Sequence, residues 1–244
     1  MPEGPSIVIL KEETDHFIGR KVLEVTGNTQ TINIEDIRNK KLVDIKTWGK
    51  HYLLCFPKFT IRIHFMLFGS FAIDEPKDRV ERLSLRFTNG HLYFYTCSVR
   101  LLEGSPDAHY DWSGDVMNRA WDPKKAKEKI KALPKELLCD TLLNQDIFAG
   151  VGNIIKNEVL FRVGLHPGNR NMDVSGIKIN QMIREARQYS FDFLKWKKQF
   201  ILRKKWLIHT KKKCPICGGP IKKEYLGKTK RRTFFCEKDQ RRYP

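Results

Sequence analysis

The second residue of the chain is proline, and an initiator methionine is normally removed ahead of a small residue, which leaves Pro2 as a free secondary amine. An α-amino group titrates near pH 8, well below the roughly 10.4 of lysine, so part of it is neutral at cellular pH. Such an amine can attack a sugar carbon or a carbonyl and form an iminium. Glu3 adjoins it and could donate and accept protons. Taken alone, a Met-Pro-Glu start is an unremarkable sequence, and it acquires weight only in combination. A second pattern lies near the other end. Cys214-Pro215-Ile216-Cys217 and Cys236-Glu237-Lys238-Asp239 are spaced like a zinc ribbon or hairpin finger, with Asp239 where a fourth cysteine is usual. A carboxylate can ligate zinc, so Cys214, Cys217, Cys236 and Asp239 form a candidate structural site for a single zinc ion. His209 is a substitute fourth donor, and a loop that folds without metal is the alternative. A third pattern is the turn Ala149-Gly150-Val151-Gly152-Asn153. Its glycines let the backbone approach a phosphate, and Asn153 can open a helix whose free N–H groups suit an anion. A turn that merely joins two helices would read the same way.

Charge narrows the partners. Lysine and arginine number 46 against 28 acids, a formal net charge of +18, and a polyanion is the natural counterpart because each phosphate neutralised releases counterions. No run approaches the length of a membrane helix, and the first residues lack the basic-then-apolar layout of a signal peptide. The expected setting is therefore cytoplasmic, associated with the nucleoid through DNA, with no membrane partner. There the six cysteines stay reduced. The clusters Arg203-Lys204-Lys205 and Lys211-Lys212-Lys213 read as a solvated face that also meets backbone phosphate.

These groups need a scaffold. Residues 5–18 carry a helical stripe of Ile7, Leu10, Thr14, Phe17 and Ile18, stopped by Gly19. From Lys21 to about Thr96 the period changes to two, with strands expected at 41–47, 51–56, 60–65, 83–88 and 91–96. Asn89-Gly90 signals a type I′ hairpin between the last two. Asp122-Pro123 then opens a helical half, a capping residue followed by proline at the first position. Helices are expected over 124–132, 135–146, 153–163 and 175–200. The tail is lysine-rich, with cysteine pairs and two short strand-like pieces. The fold class is α+β: an antiparallel β-sandwich with a leading helix (1–120), a helical domain (121–208) and a zinc-finger β-hairpin (209–244).

In combination the motifs say more. Met1-Pro2-Glu3-Gly4-Pro5, Trp48-Gly49-Lys50-His51, the stretch 63–70 around Met66-Leu67-Phe68, the stretch 146–161 around Asn153, and Arg231-Arg232-Thr233-Phe234-Phe235-Cys236 occur in one order. That order resembles the formamidopyrimidine-DNA glycosylase/endonuclease VIII family, across nearly the whole chain. The resemblance implies a monomeric base-excision repair enzyme that clamps kinked, damaged double-stranded DNA between a sandwich and a helix–two-turns–helix domain. It uses no small-molecule cofactor. It implies that Pro2 attacks C1′ of the damaged nucleotide and that Glu3 protonates the sugar ring oxygen. Lys50 would bind a phosphate beside the lesion and serve β-elimination. Asn153 would bind phosphate, and Arg231 would grip phosphate and serve δ-elimination, with its neighbour Arg232 an alternative. Chemistry at C1′ requires the nucleotide to leave the stack, and Met66, Leu67 and Phe68 fall where the family places a void-filling wedge, with Leu67 at its tip. Ordinary strand core is the alternative for these three.

Residues 95–103 lack the Arg-Arg-Phe-Gly-like loop typical of the 8-oxoguanine branch. With the Met-Leu-Phe wedge, this resembles endonuclease VIII and implies oxidised pyrimidines. Two positions depart from the family pattern. Ser6 stands where a second glutamate is usual, which implies altered base tolerance or weaker glycosylase action. Asp239 replaces cysteine, which implies a looser finger and an Arg231 that serves δ-elimination less well. Three other readings stay open: a non-catalytic damaged-DNA binder of the same family, specificity for 8-oxoguanine or formamidopyrimidine, and a zinc-ribbon protein of the translation apparatus.

Overall fold

A computed structural model describes residues 2–244, and the chain divides after Tyr110 into two compact units. The first begins with helix α1 (Gly4–Thr14), continued by a single tight turn to Phe17. Ile7, Leu10 and Phe17 are buried on its inner face. The Thr14 hydroxyl meets the phenol of Tyr52, also buried, at 2.7 Å, which pins the helix to the sheet beneath.

Eight strands follow, in two antiparallel four-stranded sheets. One runs β2 (Asp44–Trp48), β3 (His51–Cys55), β4 (Phe59–His64) and β8 (Ser98–Glu103). The other has the order β1 (Val22–Thr26), β6 (Leu83–Phe87), β7 (Gly90–Tyr95), β5 (Ser70–Ile73). Their apolar faces share one core that includes Ile45, Leu54, Ile61, Ile63, Leu85, Leu92 and Phe94. Each such side chain, fully removed from water, contributes about 2 kcal/mol. The expected sandwich and leading helix are therefore present. The β6–β7 hairpin turns one residue earlier than the Asn-Gly signal suggests: Phe87 pairs with Gly90, so Thr88 and Asn89 form the turn. Gly90 takes φ +146°, and a Cβ there would strike Asp74 and the Phe17 ring.

The second unit holds α2 (Pro123–Lys131), α3 (Leu138–Thr141), α4 (Asn153–Arg162), α5 (Gly176–Lys198) and the hairpin β9 (Lys222–Leu226) and β10 (Arg231–Phe235). The α2 start is as read: the Asp122 carboxylate accepts from the Lys124 and Lys125 amides, with Pro123 in the first turn. The helix expected over 135–146 is not continuous. Only α3 forms, and the rest is two turns. Side chains close these turns: Asn144 Oδ1 accepts from the Asp146 amide, and the Gln145 side chain accepts from the Gly150 amide and donates to the carbonyls of Leu143 and Val151. These bonds replace helical ones. Leu142, Phe148, Ile155, Leu160, Met182, Ile183 and Tyr189 fill this unit's main core. Among the described residues no helix is long and apolar enough to cross a membrane.

Candidate functional site

Pro2 and Glu3 form the entry to α1. Glu3 is the residue before the first turn, and its carbonyl accepts from the Ser6 amide. Its side chain is only 1% exposed. Pro2 beside it is partly exposed, and a carboxyl group taken so far out of water carries a desolvation cost that bonding partners must offset. Helix α1 packs on β2 and β3, and the tight turn between those strands carries Lys50. Trp48 pairs with His51 across that turn, and Gly49 supplies the left-handed φ of +54°.

The end of the sheet near Lys50 is strongly positive. Burial, followed by the charges of Arg62, His64 and Lys50, pushes the His51 imidazole down to about 3. Burial, Lys50 and Arg62 lower His64 likewise. Both rings are neutral at pH 7. His51 Nδ1 meets the Tyr110 hydroxyl at 3.1 Å, and Trp48 packs on the same phenol ring. Arg62 and Tyr110 were not singled out in the sequence, and His51 figured there only as the last residue of the Trp48-Gly49-Lys50-His51 motif. The signal was the His51–His64 pair, which sits at matching places on paired strands and separately reads as routine strand residues.

Met66, Leu67 and Phe68 lie in the turn between β4 and β5, outside the strands, and are 53%, 43% and 79% exposed. Phe68 therefore projects further into water than Leu67. The turn closes through the Gly69 amide to the Phe65 carbonyl at 2.7 Å. It requires glycine there, because a Cβ on residue 69 would collide with that carbonyl. The three side chains border an open cleft of about 670 Å³ that Arg82 and Cys97 also line.

In the second unit Asn153 opens α4 at the end of the glycine turn. Its amide nitrogen donates to the Arg232 carbonyl of β10 at 2.9 Å, and its Oδ1 is buried without a partner among the described residues. Lys156, fully buried, donates to the Thr233 hydroxyl at 2.8 Å and reaches the same Arg232 carbonyl. Arg231 and Thr233 share one face of β10, since side chains alternate along a strand. Arg231 thus projects on the Lys156 side. Arg232 is on the other face, where its charge helps to lower His209.

The hairpin is anchored by further buried polar groups. Glu158, 0% exposed, accepts from the amides of Leu207, Ile208 and His209. Asn157 accepts from the Phe234 amide and contacts His209 Nδ1. Asp140 accepts from the Lys228 amide in the β9–β10 turn. A Cβ on Gly227 would strike that carboxylate. Lys156, Asn157, Glu158 and Asp140 were also missed by sequence reading. Three consecutive polar residues on a buried helix were the available signal.

Cys214, Cys217, Cys236 and Asp239 come together, with their ligand atoms all within 4.8 Å of one another. Asp239 Oδ2 is 3.0 Å from Cys214 Sγ and 3.1 Å from Cys236 Sγ, and Cys217 and Cys236 sulfurs are 3.6 Å apart. Burial raises the Cys236 thiol to about 12. The Cys217 thiol, then those of Cys214 and Cys236, hold the Asp239 carboxyl below the usual range. The four groups could hold a metal ion. His209 is not among them: its Nδ1 is bonded to Asn157 and its ring packs edge-on to Trp206 and Phe234.

Residues 1–102 match the family model of the formamidopyrimidine-DNA glycosylase N-terminal domain, and residues 114–190 match that of the formamidopyrimidine-DNA glycosylase H2TH domain. Endonuclease 8-like 3 of Xenopus laevis is 30% identical over 82% of this chain and 35% of its own length. Endonuclease 8-like 2 of Bos taurus is 32% identical over 75% of this chain and 58% of its own. The chain thus spans about a third to just over half the length of these curated relatives. In fold it is similar to the formamidopyrimidine-DNA glycosylase of Lactococcus lactis, solved non-covalently bound to DNA containing an abasic site. The TM-score is 0.87 at 20% identity, over 98% of this chain and all of that one.

Proposed function

We propose a function from one premise: the chain belongs to the formamidopyrimidine-DNA glycosylase/endonuclease VIII family. The protein is a DNA-repair glycosylase with abasic-site lyase activity, acting on oxidised bases in double-stranded DNA and favouring pyrimidines. The observation that carries this reading is the buried Glu3 carboxylate beside Pro2 at the head of α1.

Once Met1 is removed, the Pro2 nitrogen attacks C1′ of the damaged nucleotide and the C1′–base bond breaks. Glu3 delivers a proton to the ring oxygen, so the sugar opens to an iminium with Pro2. The positive nitrogen acidifies the C2′ proton. Its loss expels the 3′ phosphate, and a second elimination expels the 5′ phosphate. Hydrolysis of the iminium returns the amine. Lys50 belongs to the positive field of Arg62, with both histidines neutral, and this field suits the phosphate beside the lesion. Asn153 and Arg231, from the helical unit, take further phosphates, and Arg231 serves the second elimination. Met66, Leu67 and Phe68 fill the space left by the extruded nucleotide. Residues 1–120 form the catalytic part, 121–208 the helix–two-turns–helix part and 209–244 the metal hairpin.

The donor set suits zinc. Thiolate sulfurs on a tetrahedral zinc lie about 3.8 Å apart, near the 3.6 Å between Cys217 and Cys236. Cys214, Cys217, Cys236 and Asp239 would hold the ion, whose role is structural: it fixes the base of the hairpin that bears Arg231.

Borohydride reduction in the presence of abasic-site DNA tests the reading. Chain beginning at Pro2 gives a covalent adduct, and chain whose Pro2 nitrogen is acetylated, or still acylated by Met1, gives none. Intact protein that binds the DNA and leaves it uncut, with no adduct, would identify a non-catalytic binder instead.

A further inference from the structure

Helix α5 ends at Lys198, and the chain leaves it through a two-bond cap. The Phe200 amide donates to the Lys197 carbonyl at 3.1 Å and the Ile201 amide to the Trp196 carbonyl at 3.0 Å. That pair of bonds closes a helix around one left-handed residue, a place that glycine takes without strain. Here the residue is Phe200, with φ +58°. A single exposed apolar side chain usually calls for no explanation. Phe200 differs because its backbone is unfavourable for a bulky residue, while its ring, 95% exposed, has almost no packing in the folded chain to offset the cost. Strain of this kind, held where the fold gains nothing, points to a bound state.

The surroundings indicate what is bound. Lys195 and Lys197 flank the ring on the last turn of α5, and Arg203, Lys204 and Lys205 follow it, all exposed. No aspartate or glutamate occurs between Asp192 and Glu224. Lysines in the last turn also complement the helix dipole, but Arg203–Lys205 lie beyond it. A lone ring among cations matches single-stranded nucleic acid, in which an unpaired base offers a face for stacking and the flanking phosphates offer charge. A lipid surface would instead call for a broad apolar face. Ile179, Met182, Ile183 and Phe193 of α5 are buried in the protein's own core, and the exposed Ile177 and Phe191 make no continuous apolar face with Phe200 at this spacing along the helix.

We infer that Phe200, with the cations on either side of it, is a stacking post for an unpaired base of single-stranded nucleic acid. The inference rests on the geometry of this cap and stands whether or not Pro2 is a nucleophile.

The test compares the intact chain with Phe200→Gly and Phe200→Trp, using a labelled oligothymidylate and a fully paired duplex of the same length. Phe200→Gly relieves the strained cap, so its Tm rises by about 2–4 °C. Its affinity for the oligothymidylate falls roughly ten-fold, its affinity for duplex changes by less than about two-fold, and Phe200→Trp keeps the single-strand affinity. The inference is overturned if Phe200→Gly binds oligothymidylate as well as the parent, or loses both ligands equally. A fall in its Tm would remove the premise of strain. Phe200-dependent capture on phosphatidylserine vesicles, with no change toward the oligonucleotide, would assign the ring to a lipid surface and overturn it as well.

Discussion

The helix that begins at Pro2 and Glu3 is seated largely by apolar packing: Ile7, Leu10 and Phe17 lie under α1, with a hydroxyl contact between Thr14 and Tyr52. Around Asn153 and Arg231 the supporting residues are ionisable or polar: Lys156, Asn157, Glu158 and Asp140, all buried, each bonded to backbone or side chain of the hairpin or its linker. The difference follows from what each must hold. A helix lying on a sheet presents a wide apolar face and can be fixed by packing. A short hairpin with few core residues has little apolar area to offer, so its position is set by directional bonds. Such bonds define geometry well, and they fail abruptly when one partner is lost.

The contrast is broken most readily at Glu158. Glu158→Ala removes the acceptor of three amides, that of buried Ile208 among them, and should cost about 3 kcal/mol, read as a lower urea midpoint. A cost no larger than that of a surface substitution would show that the linker is held by packing after all. Leu10→Ala is the counterpart in the sandwich. It should cost about 3 kcal/mol by loss of burial and an unfilled cavity, with the same readout. A double variant should be additive, since the two sites share no partner.

Acid sharpens the comparison further. Burial, then Lys156 and Arg232, lower His209 to about 4, against about 6.5 in the unfolded chain. The unfolded state therefore binds the proton more tightly. The stability contributed is complete above about pH 6.5 and is lost as pH falls toward 4. His51 does the same in the sandwich over a window reaching to about 3. His209→Asn should flatten the calorimetric pH slope by up to about 2 kcal/mol across that interval, leaving the part due to His51. An unchanged slope would mean that His209 is not held neutral by its surroundings.

How much of this was legible beforehand depended on the range of the interaction. Helices α1, α2, α4 and α5 were visible because Ile7, Leu10, Ile155, Val159, Met182 and Ile183 recur at helical spacing. Strand β1 was less so, because its pairing shifts between Val22 and Glu24 and the alternation breaks there. In β5 all four residues are half-buried, so there is no alternation to see. The two turns after α3 depend on the side chains of Asn144 and Gln145, which on paper continue a helix. Pro2, Glu3 and Lys50 are candidates chosen by type and order, and the grouping of Cys214, Cys217, Cys236 and Asp239 could be read from their spacing. Lys156 and Glu158 could not, because their partners lie some fifty to eighty positions away in sequence.

The smallest expected effect concerns Asp239. Chelation, or Asp239→Ala, should loosen the base of the hairpin and lower the share of δ-elimination ends while β-elimination ends persist, as seen on denaturing gels of cleaved oligonucleotide. Asp239→Cys should shift the ratio the other way. Equal loss of both product ends would detach Arg231 from the second elimination.

The most direct test of the central claim is mass spectrometry of the borohydride-trapped complex after trypsin. The sugar remnant should be found on the peptide that runs from Pro2 to Lys11, attached at its first nitrogen. A remnant on Lys50 or any other side chain, or efficient incision by protein that still carries Met1, would contradict the mechanism.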